Sequence, residues 1–483
     1  MSAVIARLAE SAERAAERSF VEPVVAPVAG PVADAGPLVI SSSSEVLGSI
    51  RSDTIVQRNC TLHVRGNLLG SLIIDPGASV IVEGSVDGKI INKGGRLVVH
   101  NKGLAACVTV EGPPEAEAGG VLKINLANLA ANYERLSKQT DAECAAVVRA
   151  DAYGCGIVPI AGALAKSGCN TFFVSDLAEA RSVRAAAPQA AIYVLNGFYP
   201  GTEPAFAEIN ARPVINSAIV LAEWDVFVRS RAWEGGCALN VDSGAGGLGL
   251  SLEEAAAFAP RVQACNHGVT LLISRLSPAA APNNPANARQ LETFRELRRF
   301  YGGIPASLAD SCGIFLAPKA HFDLVRAGSA LYGVNPTPGL ANPMLPVIEL
   351  KARIVQVREL AVPNHSDKKG AKIAAKNGSG AKRRLALASL GHADGYPRPA
   401  GNSSKPLPVM IGAQRCAVAA APSIDLLSID VTDLDHSVAR AGAMVTLIGD
   451  GIGIDDLAAA SGSTGRELLS RLGHRFHRIY YAT

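Results

Sequence analysis

Long apolar runs are missing from this chain. Although 48% of its 483 residues are hydrophobic, no stretch reaches the roughly 20 apolar residues that a membrane-spanning helix needs. The first residues carry Arg7, Glu10, Glu13, Arg14, Glu17 and Arg18, which breaks the apolar core a secretory signal requires. The nine cysteines include no CxxC pair and no His/Cys group at zinc spacing, so no metal and no disulfide framework is expected. The thiols read as reduced ones of a cytoplasmic protein. An excess of one charge is lacking too: 46 Lys and Arg stand against 43 Asp and Glu, a net charge of +3. That gives no ground for expecting a nucleic-acid partner or a polybasic membrane anchor.

What the chain does have is texture that changes along its length. Residues 2–19 place Val4, Ile5, Leu8, Ala12 and Ala16 at helical spacing, which suits either a disordered or helical arm or a helix for a partner or membrane surface. Residues 21–38 repeat Pro, Val and Ala as an extended linker, so 1–38 reads as arm and linker. From Val39 short β-branched runs alternate with Gly, Asp and Asn. "HVRGNLLGSLII" and "IVEGSVDGKIIN" set Gly66 and Gly70 opposite Gly84 and Gly88, and "GGRLVVHNKG" (94–103) supplies a further repeat. Short strands punctuated by glycine turns at a fixed period are the signature of a β-solenoid. Residues 39–109 resemble the bactofilin family of polymer-forming bacterial cytoskeletal proteins, which implies polymer formation or bactofilin partners and a cytoskeletal or membrane association; a small β-rich appendage is the other reading.

A second linker spans 110–120. Beyond it, strand-like and helical stretches alternate, as in "NTFFVSD" then "LAEARSVRAAAP". Over about 220 residues this rhythm predicts a parallel α/β structure of the (β/α)8 barrel type. After Ile348 the stretches from "ELKARIVQVREL" to "AMVTLIGD" read as strands of a C-terminal all-β domain. Between two of them, residues 363–384 are basic and Gly/Lys-rich, a mobile loop or a phosphate or nucleic-acid contact. The expected fold is thus a solenoid, a barrel over 121–350 and a β domain over 351–483.

The motifs "AVVRADAYGCG", "NVDSGAGGLGL", "FDLVRAGSALYGVNP", "GHADGYPR", "SIDLLSIDVTD" and "VTLIGDGIGIDDLA" follow one another in the order and spacing of alanine racemases. From Val121 onward the chain resembles that family of barrel-type pyridoxal-phosphate enzymes. The resemblance implies a homodimer built through barrel and β domain, pyridoxal phosphate as cofactor, and interconversion of L- and D-alanine by a lysine and a tyrosine of the other subunit. It puts Arg149 where the lysine belongs and His392 where the tyrosine belongs. It also implies a cofactor-binding set in Tyr153, Ser311, Arg326, Gly328 and Ser329.

Arginine cannot replace that lysine. Its guanidinium is delocalised and stays protonated, so it offers neither an amine for an imine nor a base. Histidine is a plausible base, yet it lacks an imine-forming partner. By the same resemblance, Asn240 and Gly247 replace a lysine and an arginine, Arg275 a histidine, Ile424 a methionine and Arg466 a tyrosine. Asp310 sets a carboxylate beside the phosphate-binding Ser311. Tyr153, Gly328 and Arg326 could instead be structural, packing the barrel mouth, serving a positive-φ turn and pairing with Asp310.

Three readings follow. One is a degenerate homologue serving as a scaffold or ligand sensor, with a link to cell-wall synthesis suggested by the solenoid. Another is an active alanine racemase. The third is an anion trap made by Arg149, Arg275, Arg326 and Arg466.

Overall fold

The computed structural model describes residues 26–28, 36–86, 90–92, 95–99, 109–111, 113, 115–231, 233, 235–265, 268–277, 281–361, 382–399 and 406–482. The arm at 2–19, most of the Pro-rich linker, the end of the repeat at 100–103 and the basic loop at 363–381 lie outside them. The chain divides into two units, Met1–Glu117 and Ala118–Thr483.

In the first unit three parallel sheets wind into a β-solenoid. Ser44 pairs with Leu62 and Leu62 with Val80, a rise of one coil per 18 residues, the period read from the glycines. The last coil is one residue shorter, since Val80 pairs with Leu97. Strand Ala26–Val28, inside the segment read as a linker, pairs in parallel with Ser44–Val46. Alternate side chains point inward, among them Val46, Leu62, Val64, Leu72, Ile74 and Val80, all fully buried. Each contributes about 1.5–3 kcal/mol of burial only because a neighbouring coil covers it. Outside, Arg65 bridges Glu45 and Glu83, each at 2.9 Å, so one guanidinium ties three coils.

The second unit is a (β/α)8 barrel with a C-terminal β domain. The barrel strands are β1 Glu143–Val147, β2 Thr171–Val174, β3 Ala191–Val194, β4 Ala211–Ile215, β5 Cys237–Asn240, β6 Val269–Ile273, β7 Ala306–Ser307 and β8 Leu324–Ala327. They pair in parallel and in sequence order, and β8 returns to β1. An Asp310–Arg326 bridge closes the seam beyond β7. Because both faces are covered, the strands are continuous apolar runs. Ala145, Phe173, Tyr193, Val214, Ala238 and Leu271 fill the barrel, while their neighbours pack outward beneath the helices.

In the β domain, Ile348–Ala361 pairs with Lys382–Ala388 and with Met444–Ile448. One boundary and one stretch of the β domain differ from expectation. Strand Gly120–Asn125 leaves the barrel and lies between Ile348–Ala361 and His477–Tyr481. The β domain also carries two short helices, Ile454–Ser461 and Gly465–Ser470.

Cys60, Cys144, Cys155, Cys169, Cys237, Cys312 and Cys416 are free. Burial pushes the thiols of Cys155, Cys169 and Cys237 up to about 12, so they stay protonated and inert. Among the described residues no helix is long and apolar enough to cross a membrane.

Candidate functional site

Strand β1 delivers Arg149 to the C-terminal mouth of the barrel, the end where loops of this fold carry chemistry. The backbone then does something costly. Ala150, Asp151, Ala152 and Tyr153 all adopt left-handed conformations, with φ between 52° and 54°. None is glycine, so the turn costs roughly 1–2 kcal/mol per residue.

Contacts from three directions hold it. The Glu179 carboxylate, on helix Leu177–Ala186, accepts from Asp151 N–H (3.0 Å) and Ser175 N–H (2.7 Å). Asp151 accepts in turn from Ile157 N–H (3.0 Å), and Arg478 donates to it at 3.3 Å. At Gly154 (φ +73°) a Cβ would meet the Leu469 carbonyl oxygen at 2.5 Å, so helix Gly465–Ser470 seats directly on the turn. Burial raises the Glu179 carboxyl above its usual range, against the pull of those backbone N–H groups. Strain of this kind persists only where the surroundings over-determine it. Glu179→Ala removes two charge-assisted bonds and strands two N–H groups. It is expected to lower stability by about 2–4 kcal/mol, read as the shift in chemical denaturation midpoint of the barrel unit. A loss under about 0.5 kcal/mol would show that the turn holds itself.

The turn borders a cleft of about 710 Å³ at the barrel mouth. Arg149, Tyr153, Ser311, Arg326, Gly328 and Ser329 all line it, together with Asn240, Arg275, Asp310 and Arg466. The buried Ser311 hydroxyl accepts from Gly328 N–H (2.9 Å) and Ala330 N–H (3.3 Å), gathering two backbone donors around one oxygen. Burial pushes the Tyr153 hydroxyl above its usual range, against the pull of the nearby Arg149 guanidinium. Arg326 lies deeper: its Nε donates to Ser307 at 3.0 Å and its Nη2 to the carbonyls of Ser274 and Leu308. Burial first, then the neighbouring charges of Arg149 and Arg275, bring its pKa down to about 10 despite the opposite pull of Asp310.

Two structural expectations need correction. Gly328 has φ −123°, so no left-handed turn requires glycine there; the reason is space, because a Cβ would lie 2.8 Å from the Tyr153 hydroxyl. Arg326 shares a backbone bridge with Asp310, but its side chain is anchored by Ser307 and carbonyls, while Asp310 Oδ1 accepts from Gly313 N–H at 2.9 Å.

His392 is not at this cleft. It sits on the β domain, its N–H donating to the Ser423 carbonyl at 2.9 Å, beside Arg398 and Arg471 in a smaller recess. Ile424 is next to it and exposed. At the positions of the implied lysine and arginine, Asn240 donates to Asn216 Oδ1 (2.8 Å) and to the Leu248 carbonyl (2.9 Å). A Cβ on Gly247 would meet the Arg275 guanidinium at 3.2 Å. Arg275, just beyond β6, thus brings a guanidinium beside the loop position where the resemblance implies an arginine.

Residue reading missed Glu179 and Asn216. Asp176 and Glu179 form a D-x-x-E helix start, with Asp176 Oδ1 accepting from Glu179 N–H at 3.0 Å. A capping box would send the glutamate back to the cap, whereas here it reaches out to the turn, which no local pattern signals.

These residues do not fit covalently held pyridoxal phosphate. An aldehyde needs a primary amine, and no lysine is among the described residues lining the cleft. The phosphate end fares better, since Ser311, the Gly328 and Ala330 N–H groups and Tyr153 are of the kinds that hold phosphate.

Two family models match the second unit: "Alanine racemase, N-terminal domain" over 124–336 and "Alanine racemase, C-terminal domain" over 347–480. The chain is 44% identical over 363 residues to an alanine racemase of Methylobacterium sp. (strain 4-46), covering 75% of this chain and 98% of that protein. A biosynthetic alanine racemase of Agrobacterium fabrum is 39% identical over 369 residues, covering 74% and 93%. Among solved structures, alanine racemase from Bartonella henselae with covalently bound pyridoxal phosphate superposes with a TM-score of 0.66 at 29% identity, covering 75% of this chain and 99% of that one. The biosynthetic enzyme from Pseudomonas aeruginosa gives 0.66 at 31%, covering 75% and 99%.

Proposed function

The chain belongs to the alanine racemase family, and we propose that it is a member that no longer racemises, its barrel serving as a ligand-binding or scaffolding module joined to a bactofilin-like solenoid. The observation that carries this is the amine-free cleft: Arg149 stands at the end of β1 and no lysine is among the described lining residues. A guanidinium protonated at every physiological pH can neither attack an aldehyde nor accept a proton. The displaced charges point the same way. Asn240 is committed to Asn216 and Leu248, and Arg275 fills the space beside Gly247.

The catalytic positions of this reading are Arg149 and, from a second subunit, His392, both inactive. Tyr153, Ser311, Arg326, Gly328 and Ser329 form the remnant of the phosphate site. A homodimer through barrel and β domain belongs to the same reading, as does self-assembly through residues 39–109, which would localise the barrel on a polymer. Regular 18-residue coils with continuous inner and outer ladders support a module built for stacking.

The test is borohydride reduction of the full chain incubated with pyridoxal phosphate, followed by peptide mass mapping, with alanine racemisation assayed in parallel. No reduced cofactor on any peptide and no turnover above buffer are expected. A lysine carrying the reduced cofactor, together with turnover, would overturn the proposal.

A further inference from the structure

The cleft holds more positive charge than a vanished reaction requires. Arg149, Arg275, Arg326 and Arg466 line one cavity, and none of the four has an ion pair among the described residues. The carboxylates that share the lining are committed to backbone N–H groups instead. Asp242 accepts from Gly244 (2.9 Å), Ala245 (2.7 Å) and Gly246 (3.0 Å), Asp310 from Gly313 (2.9 Å) and Asp455 from Asn335 (2.9 Å). Like charges gathered without a carboxylate in contact repel one another until an anion joins them.

Arg326 feels both Arg149 and Arg275, which reach the cleft from different elements. Arg149 and Arg466 both pull the Tyr153 hydroxyl down, against burial and the Asp310 carboxylate, and Gly328 lies against that same hydroxyl with its N–H turned to Ser311. Arg275 stands instead at the end of β6, against Gly247 and the segment whose Leu248 carbonyl takes the Asn240 amide. The same cleft is also lined by Val147, Val214, Leu248, Ile273 and Val334, apolar surface suited to an uncharged organic body rather than a bare ion.

We propose that the cleft binds an organic ligand with two anionic groups, one a phosphate set among Arg149, Arg466 and Ser311, the other an anion held by Arg275. A sugar bisphosphate or a phosphorylated acid has this chemistry, because planar guanidinium forks match the oxygens of both phosphate and carboxylate. The inference rests on the reading of the cleft as non-racemising, since it leaves no room for an amino-acid substrate on a bound cofactor.

Thermal shift and calorimetry on the full chain, at constant ionic strength, test it with inorganic phosphate, glucose monophosphate and fructose bisphosphate. The bisphosphate is expected to bind about ten-fold or more tightly than the monophosphate, the size of one additional charge-assisted contact. Arg275→Gln is expected to remove that advantage while leaving monophosphate binding in place, and Arg149→Gln to weaken both about ten-fold. Arg295→Gln, on an outer helix, is expected to change neither, and far-UV circular dichroism with the melting curve establishes that each variant is folded. Equal affinity for the two sugars, no binding of either, or an unchanged ratio in Arg275→Gln would overturn the proposal. If the borohydride experiment is negative and the bisphosphate still fails to bind, the two-anion site alone is refuted. A cofactor trapped on lysine refutes the reading beneath it.

Discussion

Gly84→Ala is expected to open the β-solenoid while leaving the barrel unit folded. A Cβ at Gly84 would lie 1.7 Å from the Gly66 carbonyl oxygen, and one at Gly66 would lie 1.9 Å from that of Gly48. Backbone cannot retreat there without breaking the ladder, because the N–H groups of Glu83 and Gly84 both donate to the Val64 carbonyl, at 2.7 and 2.8 Å. Separating two coils uncovers Val64, Val80 and Val82, all fully buried. The cost should therefore exceed the roughly 1–3 kcal/mol usual for overpacking, because the neighbour is backbone that cannot move aside. Gly48 is the internal control: nothing lies within 4 Å of its Cβ direction, so Gly48→Ala is expected to be nearly silent. Limited proteolysis of the full chain reads both. Rapid cleavage within 38–99 is expected for Gly84→Ala only, with the melting transition of the barrel unit unmoved. If the two alanine variants resist equally, glycine at the coil corner is not what permits stacking. Should the self-assembly reading hold, Gly84→Ala also abolishes higher-order species in sedimentation.

That repeat was readable because glycine marks each corner and the period is short. The barrel was readable for a related reason: runs such as Phe172, Phe173 and Val174 are apolar on both faces, as a strand covered by helices and filled by its neighbours must be. The left-handed turn at 150–153 was not. Ala, Asp, Ala and Tyr carry no glycine or asparagine to announce positive φ, and the conformation is imposed from outside by Glu179 and by helix Gly465–Ser470. Likewise Arg275 beside Gly247 is a contact between β6 and the loop after β5, which spacing along the chain cannot reveal. The two helices after Gly453 were missed within a region dense in strands, although Gly453 and Asp456 set up a helix start in which Asp456 Oδ2 accepts from the Gly453 N–H at 3.0 Å. The site residues carried over by motif line one cleft, whereas His392 lies apart from it on the β domain.

Arg149→Lys combined with His392→Tyr is expected to recover cofactor capture without recovering racemisation. The lysine would stand at the start of a turn whose strained geometry is intact, in the cleft that Ser311 and Gly328 also line, so an amine placed there shares the cleft with the residues proposed to hold phosphate. Borohydride should then fix pyridoxal phosphate on the peptide that spans position 149, where the native chain fixes none. Turnover needs more than attachment. Transition-state stabilisation comes from fixed charges around the reacting centre, and removing one such group costs about 10²–10³ in rate. Here Asn240 is neutral, Gly247 has no side chain, and Arg275 brings a cation from a different strand. Several such losses acting as a unit place activity near the background despite a complete lysine and tyrosine pair. Adding Arg275→His, Gly247→Arg and Asn240→Lys to the double variant is the stepwise continuation, and measurable racemisation is expected to appear only in that combination. If the double variant alone turned over alanine at a rate well above buffer, the surrounding shell would be shown competent, and the loss of function would reduce to Arg149 and His392.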